Sequence, residues 1–268
     1  MPEVAEVRLI AEALAKRLCG RNLLSVNVLS GRYLKKPIPG SEEFEKRFPT
    51  KIMAVGVHGK FLYAITENDL HLHHSLGMSG SWSVTKEKHS RVEFVLDDGS
   101  VYYDDIRNFG TLSFVSGRHV LISKIKSLGP DILNPSTSSE DLCKALLSGD
   151  TERNICEALM CQKTIAGCGN YLKAEALYRT CLSPLRNVNF FSEKEILELC
   201  KNLIIIARDS YAAGGNIFRT HKNFDGSSGK YASQLMCYNR KIDTLGNVVV
   251  KTLTPDGRQT HWCPARQN

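Results

Sequence analysis

The hydrophobic period changes twice along the chain, and this restricts the fold more than any composition figure. Near the N-terminus, Val7, Ile10, Ala11 and Leu14 share one helical face, and Pro2 suits the start of such a helix. From Leu23 to Val115 the pattern shortens to runs of strand length at 24–29, 52–58, 61–65, 80–84, 92–96, 101–103 and 111–115, with a turn at Asp97-Asp98-Gly99. Such a series predicts an antiparallel sandwich or barrel. The polar run Asn134–Ser139 reads as a linker. Beyond it, 141–147, 153–162, 171–181 and 192–214 return to helical spacing, and 215–234, rich in Gly, Asn and Ser, reads as a flexible loop. The tail predicts a hairpin of 236–241 and 247–253 about Leu245-Gly246, then a turn at Pro255-Asp256-Gly257 before 260–263. The expected class is α+β, divided into 1–133, 134–234 and a hairpin domain 235–268.

Composition narrows the class. A 268-residue chain with 42% hydrophobic and 24% charged residues can form a core. No window approaches the 18 apolar residues of a membrane span, and Glu3, Glu6 and Glu12 interrupt any signal-peptide core, so a soluble intracellular protein is expected. The nine cysteines form an odd set with no Cys-x-x-Cys pair, which favours reduced, mostly buried thiols over a cysteine-based zinc site. A mixed site using His71, His73 or His74 is the lesser alternative. The net charge of +7 is uneven: residues 1–150 carry 19 basic and 18 acidic side chains, whereas 151–268 carry 16 and 10. That surplus fits a polyanionic partner without requiring one.

Three motifs carry chemistry. Removal of the initiator methionine would leave Pro2 as a secondary amine beside Glu3 and Glu6. An α-amino group titrates near pH 8, so part of it is unprotonated at neutral pH and can attack an aldehyde-level carbon to give an iminium. A plain helix start explains the same residues and, on this motif alone, is the commoner case. Gly167-Cys-Gly169-Asn170-Tyr171 opens a helix whose free amides suit a phosphate, unless the glycines merely make a turn. Gly59-Lys60 and Asp256-Gly-Arg258 place cations in turns, where solvated charges are also common.

In combination these motifs are specific. Pro2-Glu3-x-x-Glu6, Gly59-Lys60, Gly77-Met78-Ser79-Gly80, Asp105-Ile-Arg107-Asn-Phe109-Gly110, Leu128-Gly-Pro-Asp131 and Gly167-x-Gly-Asn170-Tyr171 occur in this order. The series, from Pro2 to about Pro264, resembles the formamidopyrimidine-DNA glycosylase and endonuclease VIII family of base-excision repair enzymes. The resemblance implies an N-terminal helix with an antiparallel β-sandwich, then a helix-two-turn-helix domain ending in a β-hairpin finger, with DNA between them. It implies that Pro2 attacks C1′ of the damaged nucleotide, that Glu3 exchanges protons at the sugar, and that Glu6 orients the site. Lys60, counted with Pro2, Glu3 and Glu6 among the implied catalytic residues, also matches a phosphate-gripping position, as do Asn170 and Arg258, and Met78, Arg107 and Phe109 match the residues that fill the space left by a flipped base.

Two departures matter. Val4-Ala5 replaces the commoner Gly-Pro or Leu-Pro, at positions without chemistry. Many members hold the finger with four zinc cysteines, but here Cys263 is followed by Pro264-Ala265-Arg266 and Cys237 stands apart. The tail resembles the zincless fingers of the endonuclease VIII-like branch, so a metal-free hairpin carrying Arg258, with no cofactor, is expected. The implied activity is that of a bifunctional DNA glycosylase and AP lyase favouring oxidised pyrimidines. The same chemistry on 8-oxoguanine or formamidopyrimidine, and a noncatalytic damaged-DNA binder, stand as alternatives. Damaged duplex DNA is the expected partner, single-stranded DNA stays open, no membrane is involved, and a monomer is expected.

Overall fold

The computed structural model describes residues 2–216 and 229–268. The chain is α+β and forms two compact units. Among the described residues, one comprises Pro2, Glu6–Lys126, 214–216 and Gly229; the other comprises Glu3–Ala5, Ser127–Ala213 and Lys230–Asn268.

In the first unit, helix α1 (Val4–Leu18) precedes eight strands: β1 (Asn22–Val28), β2 (Thr50–His58), β3 (Phe61–Thr66), β4 (Leu70–Ser75), β5 (Gly80–Ser83), β6 (Ser90–Leu96), β7 (Gly99–Asp105) and β8 (Thr111–Ser116). A short helix α2 (Ser41–Glu45) interrupts them and α3 (Arg118–Lys126) follows. The strand order is β5-β7-β6-β1-β2-β3-β4-β8, antiparallel throughout. β1 and β2 pair only at Asn22–Lys51 and Leu23–Thr50, so the ladder divides into two four-stranded halves. Both halves feed one core: Val92, Phe94 and Val101 from one, Leu62, Leu72 and Phe114 from the other, with Val7, Ile10 and Leu14 of α1. β6 alternates buried and partly buried residues along its whole length, which is the period-2 signal that marked it in the sequence.

Neither β4 nor α3 shows in the hydrophobic period. In Leu70-His-Leu-His-His-Ser75 the histidines hide the alternation, yet His71 and His74 are both buried. His74 is held from two sides: Trp82 Nε1–H donates to its Nε2 at 3.1 Å, and its Nδ1 lies 2.8 Å from the Thr111 carbonyl. That pair of contacts fits only the neutral ring protonated at Nδ1. In α3 only Leu121 is buried, too weak an apolar face to show in the periodicity.

The second unit contains α4 (Ser139–Leu147), α5 (Ile155–Met160), α6 (Asn170–Arg179), α7 (Glu193–Ala212) and a hairpin of β9 (Val250–Leu253) and β10 (Gln259–Trp262). α7 packs against α4 and α6. The segment 134–139, expected to be a linker, lies inside this unit. Its polar residues serve as a helix start: Ser138 and Asp141 form a reciprocal capping box on α4. Ser192 and Glu195 do the same for α7. Between α5 and α6 the Gln162 side chain closes two turns, donating to the carbonyls of Met160 and Cys168 (both 3.0 Å) and accepting from the Gly167 amide at 2.9 Å. Leu128-Gly-Pro-Asp131 docks on the same turn through a parallel bridge between Asp131 and Ala166. Residues 236–241 are not the expected strand, since only Ile242 and Val248 form a bridge. The expected loop 215–234 lies largely outside the described residues, and 231–234 form a short 3-10 turn.

Burial pushes the His74 pKa down to about 4 from 6.5. A base held below its unfolded value is protonated first in the unfolded chain, so its contribution is complete above pH 6.5 and is lost as pH falls from 6.5 towards 4. His74 alone should cost the fold about 2 kcal/mol between pH 7.5 and pH 5. Urea unfolding at the two pH values measures this, and a His74→Gln variant should show a correspondingly smaller difference.

Candidate functional site

The Gly167-x-Gly-Asn170 motif builds its site from the helix outwards. Gly169 precedes α6 in extended conformation (φ −135°), so its backbone does not demand glycine. Space does: a β-carbon there would overlap the Glu3 carboxyl group. Glu3 is buried, and its two oxygens accept from the amides of Tyr171 (2.8 Å) and Leu172 (3.3 Å). The Val4 amide donates to the Gly167 carbonyl at 3.2 Å. Two of the first amides of α6, a helix end expected to bind a phosphate, are therefore taken by this protein's own carboxylate. Negative charge at a helix N-terminus is favoured by about 0.3–1 kcal/mol.

Asn170, the next residue, turns towards the hairpin, where its Nδ2 donates to the Gln259 carbonyl at 3.0 Å. Gln259 follows Arg258, which is half-buried at the turn between β9 and β10. Glu3, Asn170 and Arg258 thus gather at one end of α6. Tyr238 belongs to the same neighbourhood: burial raises its phenol pKa, and the Glu3 charge raises it further.

Glu6 is buried in the first unit, and its Oε1 accepts from the Asn216 amide at 2.8 Å. A β-carbon on Gly215 would come within 3.1 Å of that oxygen, and the positive φ of Gly215 (+89°) further favours glycine. Pro2 is buried immediately ahead of α1. Lys60 is half-buried in the tight β2–β3 turn, which Gly59 enters at φ +56°.

Two loops of the sandwich carry the remaining candidates. Phe109 is 56% exposed, with the Arg107 guanidinium 5.3 Å from its ring centre, while Met78 is partly buried in the neighbouring loop. A β-carbon on Gly77 would fall 2.7 Å from the Gly110 nitrogen, so the two backbones lie against each other. The fully buried Asp105 ties them: it accepts from Ser79 Oγ (2.5 Å), Tyr103 Oη (3.0 Å) and the Gly110 amide (2.8 Å), and Ser79 Oγ accepts in turn from the Arg107 amide (2.8 Å). The sequence placed Asp105 within a motif but gave it no task. Its signal was an acidic residue ending a strand of alternating burial.

His71 and His73 point away from His74, as alternation along β4 requires. No group of three His, Cys, Asp or Glu among the described residues could hold a metal ion. No helix among them is long and apolar enough to cross a membrane.

An N-terminal helix on an antiparallel sandwich, followed by a helix-two-turn-helix and a hairpin, defines a class of DNA repair proteins, and comparison with known proteins agrees. Residues 1–112 match the formamidopyrimidine-DNA glycosylase N-terminal domain and 128–222 match the H2TH domain of the same enzymes. Formamidopyrimidine-DNA glycosylase from Bacillus licheniformis is 30% identical over 274 residues, covering 98% of both chains. A Lactococcus lactis Fpg mutant, G226P, solved with Fapy-dG-containing DNA, superimposes over 100% of both chains with a TM-score of 0.87 and 27% identity. The wild-type L. lactis enzyme, solved with DNA containing an oxidised pyrimidine, matches over the same extent with a TM-score of 0.86 and 26% identity. The chain belongs to the formamidopyrimidine-DNA glycosylase family and is a DNA glycosylase with AP lyase activity.

The seat of Glu3 makes a stability prediction. Gly169→Ala should expel the carboxylate from the helix terminus and destabilise the fold by about 1–3 kcal/mol, read as a lower urea midpoint. A Glu3→Gln, Gly169→Ala double variant should lose less than the sum of its parts.

Proposed function

We propose that this enzyme removes oxidised bases from duplex DNA through an imine on Pro2 and then cuts the strand. The freed secondary amine of Pro2 attacks C1′ as the base departs with its bonding pair, and Glu3 protonates O4′ as the C1′–O4′ bond opens to leave the iminium. The resulting iminium acidifies the C2′ proton, whose loss expels the 3′ phosphate; a second elimination expels the 5′ phosphate and leaves a one-nucleotide gap. Glu6 orients this end of the chain through Asn216. Lys60, Asn170 and Arg258 grip the phosphates around the flipped nucleotide, and Met78, Arg107 and Phe109 fill the vacated stack.

The observation that carries this reading is the seating of Glu3 on the Tyr171 and Leu172 amides of α6, next to Asn170, because one helix end then holds both a proton-exchanging group and a phosphate donor. On this reading the sandwich unit bears the nucleophile, the void-filling loops and Lys60, and the helical and hairpin segments add the phosphate contacts of Asn170 and Arg258. Single-stranded DNA carries the same phosphates and is a second substrate form; the enzyme acts as a monomer.

The hairpin supports a metal-free finger. Cys237 and Cys263 pack with Tyr178 and Val249, and burial pushes the Cys237 thiol up to about 12, so it stays protonated at neutral pH. Arg266 lies 5.0 Å over the Tyr178 ring. A zincless finger accords with oxidised pyrimidines as the favoured lesions. A second reading, formamidopyrimidine purine lesions, is favoured by the names of the relatives.

Purified protein with its native N-terminus, incubated with duplexes bearing thymine glycol, formamidopyrimidine or an abasic site plus borohydride, should yield a covalent adduct that mass spectrometry maps to Pro2. Pro2→Gly should keep abasic-site binding and lose strand cutting by two orders of magnitude or more. Cutting at an undiminished rate would refute the proline imine, and the faster-cut lesion decides between the two readings.

A further inference from the structure

Lys173 lies in the middle of α6 with no solvent exposure, an unusual place for a side chain that normally keeps its charge in water. Its Nζ meets Asp256 Oδ2 at 2.5 Å, and that carboxylate is 97% buried (3% exposed). Asp256 sits in the turn between β9 and β10, two residues before Arg258. The Thr254 hydroxyl contacts the other Asp256 oxygen at 2.5 Å and Thr260 Oγ1 at 2.7 Å, and the Thr254 amide donates to the Arg258 carbonyl at 3.0 Å. The turn backbone is thus clamped on both sides of Gly257 (φ +72°), whose own conformation supplies no rigidity.

We propose that Lys173 is a positioning residue of the DNA grip: through its ion pair with Asp256 it fixes the turn that presents Arg258 beside Asn170. The proposal rests on Arg258 being a phosphate contact. A buried ion pair is a poor device for stability, because desolvation offsets its attraction and an apolar pair of similar volume often serves the fold as well. It is a good device for geometry, since a 2.5 Å contact between a helix and a turn tolerates little displacement. The adjacent Asn170–Gln259 bond, 3.0 Å long, spans the same helix and the same hairpin, so two contacts on one face of α6 fix the arginine's backbone.

Removing both charges together, as K173M/D256L, separates geometry from folding. The full-length double variant should melt within a few degrees of the parent. On a duplex carrying a tetrahydrofuran abasic-site analogue, its Kd should rise about tenfold, and the slope of log Kd against log salt should fall by about one phosphate contact. On an abasic duplex, KM should rise while kcat changes less than about twofold. The effect should vanish in an R258A background, because the pair acts through that arginine. Parental affinity in K173M/D256L alongside weak binding by R258A overturns the positioning role and leaves the phosphate reading standing. Parental affinity in R258A itself overturns that reading and the inference with it. If K173M/D256L does not fold, T254V decides: weaker binding with the same salt signature supports the proposal, and parental binding refutes it.

Discussion

A helix sunk in an apolar core cannot keep an unmatched charge, and α6 imposes that constraint on the second unit. Every residue from Tyr171 to Tyr178 is buried, yet the run contains Lys173 and Glu175. An unpaired ion in that environment costs several kcal/mol, so each charge must bring part of the chain to itself. Lys173 brings Asp256. Glu175 accepts from three successive amides, those of Met236 (2.8 Å), Cys237 (2.8 Å) and Tyr238 (2.6 Å), and this bends 236–238 out of any strand. The helix's own first amides bring Glu3. Segments from both ends of the sequence are thereby assembled on a helix of ten residues.

The sandwich unit solves a related problem with one carboxylate. Asp105 is completely buried, and the donors that satisfy it come from Ser79, Tyr103 and Gly110, beneath one loop exposed at Phe109 and another half-buried at Met78. Met78, Arg107 and Phe109 therefore project from a frame fixed beneath them. Asn108 takes a left-handed conformation (φ +57°) between the last two, which asparagine tolerates better than most residues. A support of this kind suits side chains that must meet a partner in one place without being packed in advance.

The order of the elements was legible in the sequence because period 2 and period 3.6 are separately imposed by burial on one face. It was lost where that face was thin or disguised: α3 buries only Leu121, and histidines mask the alternation of β4. The polar run before α4 looked like a linker because capping residues and linker residues are the same residue types. The tail strand failed for a different reason, since backbone amides claimed by Glu175 cannot also serve a ladder, and nothing local in 236–241 announces a carboxylate sixty residues upstream. The candidate residues stood out through their motifs, but not their partners. Gly167-x-Gly-Asn170 declares an array of helix donors without naming the acceptor, and here the acceptor is Glu3, from the opposite end of the chain.

On the proposed reading, sharing one helix has a mechanical consequence. The proton-exchanging carboxylate is hydrogen-bonded to the first turn of α6, and the turn that carries Arg258 is tied to Lys173, less than one helical turn further along. At 1.5 Å rise per residue, the two anchoring positions lie only about 1.5–3 Å apart along a rigid axis. Displacement of α6 would then move the acid and the phosphate contact together, so their mutual spacing is less sensitive to motion than the place of either one. A lesion site held through its phosphates is presented to Glu3 at a distance set by backbone geometry and not by long surface side chains. On that reading the arrangement accounts for Lys173 within the most buried helix of the unit and for Gly169 just ahead of it, neither of which packing alone would select.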